Sequence, residues 1–455
     1  MNILSGLACL LLIVAHFQEV SALLAPASVA LFVLVHLPRM RLPRRADVLL
    51  MWALAFVAYF CASIVFHNIY RDYAPMEILR GEGRVLYMIA VGVVVFLVSP
   101  NVNIDRPLFR MTIYATAGIC LVSIFSLFVH PIAIGELRMS SEKSLLGLVG
   151  AHNSIAGQVT TTVCVLFLAV LMYVNGRGYG LLSPLVLMAG GIAGVSVLLC
   201  LSRTYTVACG AACLLATSQL RNVVIRRNIC LLAGLASVVA MGYVLANRWD
   251  KQAADNADSR SHLYTRAWEV FNQSMLVGVG PGTFEEWNVA YQYLVPRTVA
   301  RRLHGVHVEA KNYQDAQGEG GVHAHNSYLQ WLVSYGVLGT GLFFAFLGMP
   351  VRRYFQLRRE YADVDDDFVN AVMWNGNVFV HVLCLLSIAG LLGGYTWSSP
   401  PLSILMYISW GRFVRLSSEL KDHEKEHETL DEFEDESDDE DWLEMGRGTE
   451  EIASV

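Results

Sequence analysis

The sequence predicts an all-α polytopic membrane protein, with about twelve transmembrane helices and one large loop on the outer face. Three observations predict it. Hydrophobic residues make up 55% of the 455-residue chain and charged residues only 16%, against roughly 25% charged in soluble domains. Apolar runs long enough to cross ~30 Å of hydrocarbon recur along the chain. Once these runs are threaded back and forth, the short connections richest in Arg all fall on one side.

Taken in order, the runs start near residues 2, 21, 48, 84, 110, 154, 181, 204, 229, 326, 369 and 399. The first, Ile3 to Ala15, has no basic flank and no small-residue cleavage site, so a retained span is expected rather than a signal peptide. With the N-terminus inside, the inward connections carry Arg39, Arg41, Arg44 and Arg45, then Arg221, Arg226 and Arg227, then Arg352, Arg353, Arg358 and Arg359. The chain thus divides into helices 1–9 over residues 1–246, a periplasmic loop over 247–325, helices 10–12 over 326–416, and a tail over 417–455.

The tail changes the charge picture. From Glu419 to Val455 there are 17 Asp and Glu against 3 Lys and Arg, a net −14, so the remainder of this −6 chain carries +8. A basic membrane body with an acidic, solvated and disordered cytoplasmic tail excludes nucleic acid as the expected partner. All nine cysteines lie in apolar runs or at their edges, which points to core packing rather than a disulfide framework.

The loop mixes helix and turn signals. Asp258-Ser259-Arg260 is suited to opening a helix with Leu263, Ala267 and Val270 on one face, and Gly278-Val279-Gly280-Pro281-Gly282 then breaks the backbone. That glycine run lacks the strand-to-helix setting and following Lys of a nucleotide loop, so a tight turn is the better account. The loop closes on His323-Ala324-His325-Asn326, directly before an apolar run, which sets imidazoles at a water–membrane boundary. Arg203 interrupts two apolar runs in a tight outward turn, while Arg260 and Arg266 sit in the loop. Guanidiniums donate bidentately to phosphate oxygens and stay charged at such a boundary. A base beside guanidiniums fits group transfer from a phosphate-bearing donor, with snorkelling or pairing to Asp255 or Asp258 the alternative for the arginines. His325 is the expected base; Asn326 either orients it, binds a sugar hydroxyl, or caps the next helix. Glu319, His323 and His325 match no standard ligand spacing, so neither metal nor cofactor is expected.

These elements resemble a known family. Ser202-Arg203-Thr204, Ser259-Arg260, Leu276 to Gly282, His323 to Gln330 and Tyr335 to Gly339, in that order, resemble the O-antigen ligase / O-antigen polymerase superfamily of bacterial envelope glycosyltransferases. Gly150-Ala151-His152-Asn153 looks like a further element of it, and the distinctive part covers roughly residues 150 to 345. The resemblance implies a C-type membrane glycosyltransferase architecture in the bacterial inner membrane with its site facing the periplasm. It implies glycan transfer from an undecaprenyl-pyrophosphate donor, inverting and metal-independent, to a lipid-linked acceptor, either lipid A-core or a growing glycan. Carried onto this chain, His325, Arg203 and Arg260 are the catalytic set, with Arg266, His323, Asn326 and Asn153 at the substrate. The chain departs from the family at Met275, where Pro is common, and in the basic insertion Val295 to Gly321. A polymerase acting with the same residues is the closest rival. A secondary transporter using His381, Asn375 and Asn377 is a more distant one, because the halves do not repeat each other.

Overall fold

A computed structural model of the chain describes residues 3–18, 24–43, 47–71, 81–129, 152–177, 180–200, 202–220, 222–248, 263–265, 267–281, 284, 324, 326–391, 396–399, 402–420 and 422. Among these it is all-helical, with no strand beyond an isolated bridge between Met40 and Val98. The principal helices are α1 (Ile3–Gln18), α2 (Leu24–His36), α3 (Val48–Arg71), α4 (Val85–Leu97), α5 (Asp105–Val129) and α6 (His152–Val174). They continue as α7 (Pro184–Cys200), α8 (Arg203–Thr217), α9 (Val223–Arg248), α10 (Ser327–Glu360), α11 (Asp367–Gly390) and α12 (402–420). Of the starts read from hydropathy, those near 48, 110, 154, 204, 229 and 369 fall on these helices, and the others precede one by at most three residues.

Among the described residues, four helices are long and apolar enough to cross a membrane: Val48–Ile69, Ala156–Val174, Ser327–Glu360 and Asp367–Gly390. Others, such as Val85–Leu97 with 13 residues, are apolar but rise only ~20 Å at 1.5 Å per residue. The predicted tail beyond residue 422, Arg80, Arg138 and loop residues 285–323 lie outside the described residues.

Packing follows chain order only in part. α1 packs on α2 and α5, α7 on α5 and α6, and α3 on α10, while α6, α8, α10 and α11 form a contiguous group. α12 runs through the middle, and every residue from 402 to 417 is buried. It gets that close to α4 because Gly92 and Gly411 face each other: a Cβ on Gly92 meets the Tyr407 carbonyl and the Trp410 ring, and one on Gly411 presses into the Gly92 carbonyl. Small residues at such crossings let helix backbones approach where no hydrophobic drive operates between them.

One end of the bundle is laced by arginines. Arg412 of α12 is buried; its Nε donates to both oxygens of buried Asp105, and its Nη atoms donate to the carbonyls of Val98, Ser99, Pro100 and Val102. Arg110 donates to the Gly180 carbonyl at 2.9 Å, and Arg177 to the carbonyls of Tyr361 and Ala362. Asn175 donates to the Gln219 carbonyl at 3.4 Å. These bonds place residues 98–104, 175–177, 180–183, 218–220 and 361–366 at one end, so α6, α8 and α10 run parallel and start at the other.

The Arg412–Asp105 pair is buried and hydrogen-bonded on both sides, so removing one partner strands a charge. Asp105→Ala is expected to cost about 3–5 kcal/mol, read as reduced thermal stability of the detergent-solubilised protein. The Asp105→Ala/Arg412→Leu double variant is expected to lose less than the single one; equal or greater loss contradicts the pairing account.

Candidate functional site

At the end opposite the arginine lacing, α10 is not one helix. Gly336 sits at φ 65°, ψ −172°, which splits α10 into a nine-residue N-terminal segment, 327–335, and a longer one after it. A break at this depth frees backbone groups that lipid cannot satisfy. The loop segment 275–281 satisfies them. Val279 N–H donates to the Val333 carbonyl at 2.8 Å and Gly280 N–H to the Ser334 carbonyl at 3.1 Å. In return, Val337 N–H donates to the Met275 carbonyl at 2.8 Å and Leu338 N–H to the Leu276 carbonyl at 3.2 Å. The remaining freed carbonyl, Tyr335, accepts from the Tyr59 hydroxyl of α3 at 2.6 Å.

Two glycines make this crossing possible. Gly278 (φ 74°) and Gly336 (φ 65°) both adopt left-handed backbone. A Cβ on Gly278 presses into the Ser334 carbonyl, and one on Gly336 into the Leu276 carbonyl. The glycine run is therefore a backbone clasp on α10, consistent with the tight turn expected for it and different from a phosphate-cradling loop.

The rest of the described loop packs on the same short segment. Residues 263–265 and 267–271 are helical, and Leu263, Ala267 and Val270 are all buried, as their spacing predicts. Ala267, Val270, Phe271, Val279, Phe284 and Ala324 form a small core with Val333 of α10. Beneath it lies an aromatic core: Trp331 stacks on Phe343 at 3.7 Å between centroids, and Phe56 and Phe60 of α3 pack on Tyr335. Tyr59, Ser63 and His67 recur every four residues of α3; Ser63 and His67 are buried, and the His67 ring lies against Gly280.

The expected site residues are placed as follows. Asn326 is the N-cap of α10: its Oδ1 accepts from Leu329 N–H at 3.1 Å, and its Nδ2 donates to the Leu391 carbonyl at 3.3 Å. On the other side of His325, Ala324 is fully buried and its N–H donates to Gln330 Oε1 at 2.8 Å. Arg203 is the first residue of α8 and Asn153 lies in the first turn of α6, with both side chains outside the described part. Because α6, α8 and α10 run parallel, Asn153, Arg203 and Asn326 stand at the same end of the bundle. The three helix N-termini there carry partial positive charge. Arg260, Arg266, His323, His325 and Glu319 lie outside the described residues. Among the described residues, no group of three His, Cys, Asp or Glu is arranged to hold a metal ion.

The intramembrane polar residues read as packing. His381 Nδ1 donates to the Asn377 carbonyl at 2.7 Å, which leaves Nε2 to accept from Gln219 Nε2 at 2.9 Å. Asn377 Oδ1 accepts from the Tyr354 hydroxyl, and Asn375 bonds the Ala371 carbonyl within its own helix.

Sequence reading missed Tyr59 and His67. The signal was present, since a Tyr-x3-Ser-x3-His stripe in an otherwise apolar span lies along one helical face. It marks no chemistry by itself; only the crossing with 275–281 shows what the stripe faces.

Comparison with known proteins adds one finding. Residues 144–344 match the O-antigen ligase family, which supports an O-antigen ligase-like superfamily assignment for this chain. No curated protein matches the chain. The matched span begins just before α6 and ends in α10, so it contains α8, the clasp and the broken helix.

Gly336→Ala is expected to cost on the order of 1–3 kcal/mol from its backbone conformation alone, with the clash against Leu276 added. Gly341→Ala, one turn further along α10 with nothing within 4 Å of its Cβ position, is the control and is expected to be neutral or stabilising. Thermal unfolding of both variants in detergent measures the contrast; equal shifts contradict the clasp.

Proposed function

We propose that this chain, O-antigen ligase-like over residues 144–344, transfers a glycan from an undecaprenyl-pyrophosphate carrier to the hydroxyl of a lipid-linked acceptor, lipid A-core first. The observation that carries the reading is the family match, whose span contains the N-termini of α6, α8 and α10 and the clasped loop. In this reading α1 to α12 are the twelve spans, the arginine-laced end faces the cytoplasm, and residues 247–325 stand on the periplasmic side of the inner membrane. The positive-inside rule supports that orientation.

The chemistry is a single displacement. Arg203 and Arg260, with Arg266 assisting, hold the pyrophosphate where negative charge develops, so the carrier leaves without protonation. His325 takes the proton of the acceptor hydroxyl as its oxygen attacks the anomeric carbon. The new glycosidic bond forms as the bond to phosphate breaks, with inversion at that carbon. No metal takes part. His323 and Asn153 contact sugar or phosphate; Asn326, as the cap of α10, sets the direction in which the preceding residue enters the helix.

His325→Ala is expected to lower transfer about 10²- to 10⁴-fold in an assay with purified protein, a synthetic undecaprenyl-pyrophosphate glycan and lipid A-core, with products read by mass. Chelator is expected to leave transfer unchanged. Arg203→Lys is expected not to restore the activity lost in Arg203→Ala, because an ammonium cannot replace a bidentate fork. Normal transfer by His325→Ala removes the base assignment. Glycan growing on the carrier instead of on lipid A-core makes the protein a polymerase.

A further inference from the structure

The arginine-laced end carries more positive charge than its own described carboxylates answer. Asp105 is consumed by Arg412, Asp366 caps α11 through the amides of Phe368 and Val369, and Asp365 accepts from Asn370 at 2.8 Å. Asp367 stands 3.8 Å from Arg106, and Glu419 bonds Nη2 of Arg415 at 2.8 Å. Asp47 caps α3 through the amide of Leu49, Asp422 lies just past Glu419, and Glu360 and Asp363 are exposed at the same end. Against these, Arg39, Arg41, Arg227, Arg352 and Arg359 are exposed.

Arg415 is the sharper observation. Its side chain is only 3% exposed, it lies over the Phe96 ring at 5.7 Å, and its Nε and Nη1 meet no acceptor among the described residues. Arg353 of α10, whose Nη2 donates to the Ser417 carbonyl at 2.6 Å, has its buried Nε in the same condition. Buried guanidinium N–H groups without acceptors are costly, so an anionic group from elsewhere is expected to meet them.

We propose that this group is the chain's own acidic tail, with segment 431–441 docking on the arginine-laced end and its carboxylates accepting from Arg415 and Arg353. Nine of the eleven residues in that segment are Asp or Glu, and none is Lys or Arg. The tail follows α12, whose described run ends at residue 420, five residues beyond Arg415, with residue 422 still helical. The connector from 422 to 431 spans up to about 30 Å when extended, enough to return to the ends of α10 and α12. Tethering makes the encounter intramolecular, at an effective concentration on the order of millimolar. The proposal does not rest on the transferase reading, because the tail and the arginines share one end of the bundle whichever way it faces.

The test uses the full chain in nanodiscs with a photo-crosslinking amino acid in place of Phe433, and crosslinks mapped by mass spectrometry. Expected are crosslinks to the ends of α10 and α12 and to residues 39–41, in zwitterionic and in anionic lipid alike. They are expected to be lost at high salt, and lost when the nine acidic residues of 431–441 are replaced by Asn and Gln. Far-UV circular dichroism of that variant checks that the helical body is kept. Absence of intramolecular crosslinks in zwitterionic discs, or crosslinks indifferent to neutralisation, overturns the proposal. Crosslinks present in zwitterionic but absent in anionic discs assign the arginines to lipid headgroups and overturn it as well.

Discussion

Breaking a helix inside a membrane protein frees backbone donors and acceptors that lipid cannot satisfy, so the break at Gly336 needs partners within the protein. The partners come from one place. Segment 275–281 supplies two donors and two acceptors to the gap, and the Tyr59 hydroxyl covers the Tyr335 carbonyl. The exchange requires backbone-to-backbone approach, which only glycine allows at 278 and 336. Everything described of the loop depends on it. The small core of Ala267, Val270, Phe271, Val279 and Phe284 has Val333 as its floor, and Val333 is held in place because its carbonyl is already committed to Val279.

The opposite end solves a different problem with a different residue type. There the turns between helices leave carbonyls unpaired, and long arginine side chains reach across to take them. Arg412 alone bonds four carbonyls and one carboxylate. An arginine doing this is bought with a buried charge, and Asp105 neutralises it. The bundle is therefore closed at one end by side-chain charge and at the other by main-chain exchange. The consequence is mechanical: the arginine end can be varied residue by residue, whereas the clasp has no side chain to vary.

Much of the helical body was legible because hydropathy measures what the membrane demands. Starts near 48, 84, 326 and 369 fall close to Val48, Val85, Ser327 and Asp367. The Leu263, Ala267, Val270 face was legible for the same reason, since burial imposes a period on apolar residues. The clasp was not. Gly278 and Gly280 announce a turn, whereas Gly336 announces no break, because it is one of several glycines in its apolar span, with Gly339, Gly341 and Gly348 after it. What gives Gly336 its meaning is a partner 58 positions earlier, and no local pattern encodes that pairing. Arg412 shows the same limit: it stands within the last apolar run, but its partner Asp105 opens α5, 307 positions earlier. Of the site residues, Asn326 was readable as a cap from its place before an apolar run, and it is one.

The clasp also bears on how chemistry can be held at a water boundary. A reacting group must be fixed to a fraction of an ångström, yet the segment carrying it has to leave the membrane body. Here the two neighbours of His325 are both tied to the short first segment of α10. Ala324 is held through Gln330, one turn into the helix, and Asn326 through its own cap and the Leu391 carbonyl. That segment is in turn fixed by the clasp behind it. On the transferase reading, this separates two jobs within one loop. The position next to α10 is fixed by backbone exchange and does not depend on which sugar arrives. That position does not shift with the sugar, so on the transferase reading acceptor choice can change elsewhere on the loop without moving the base.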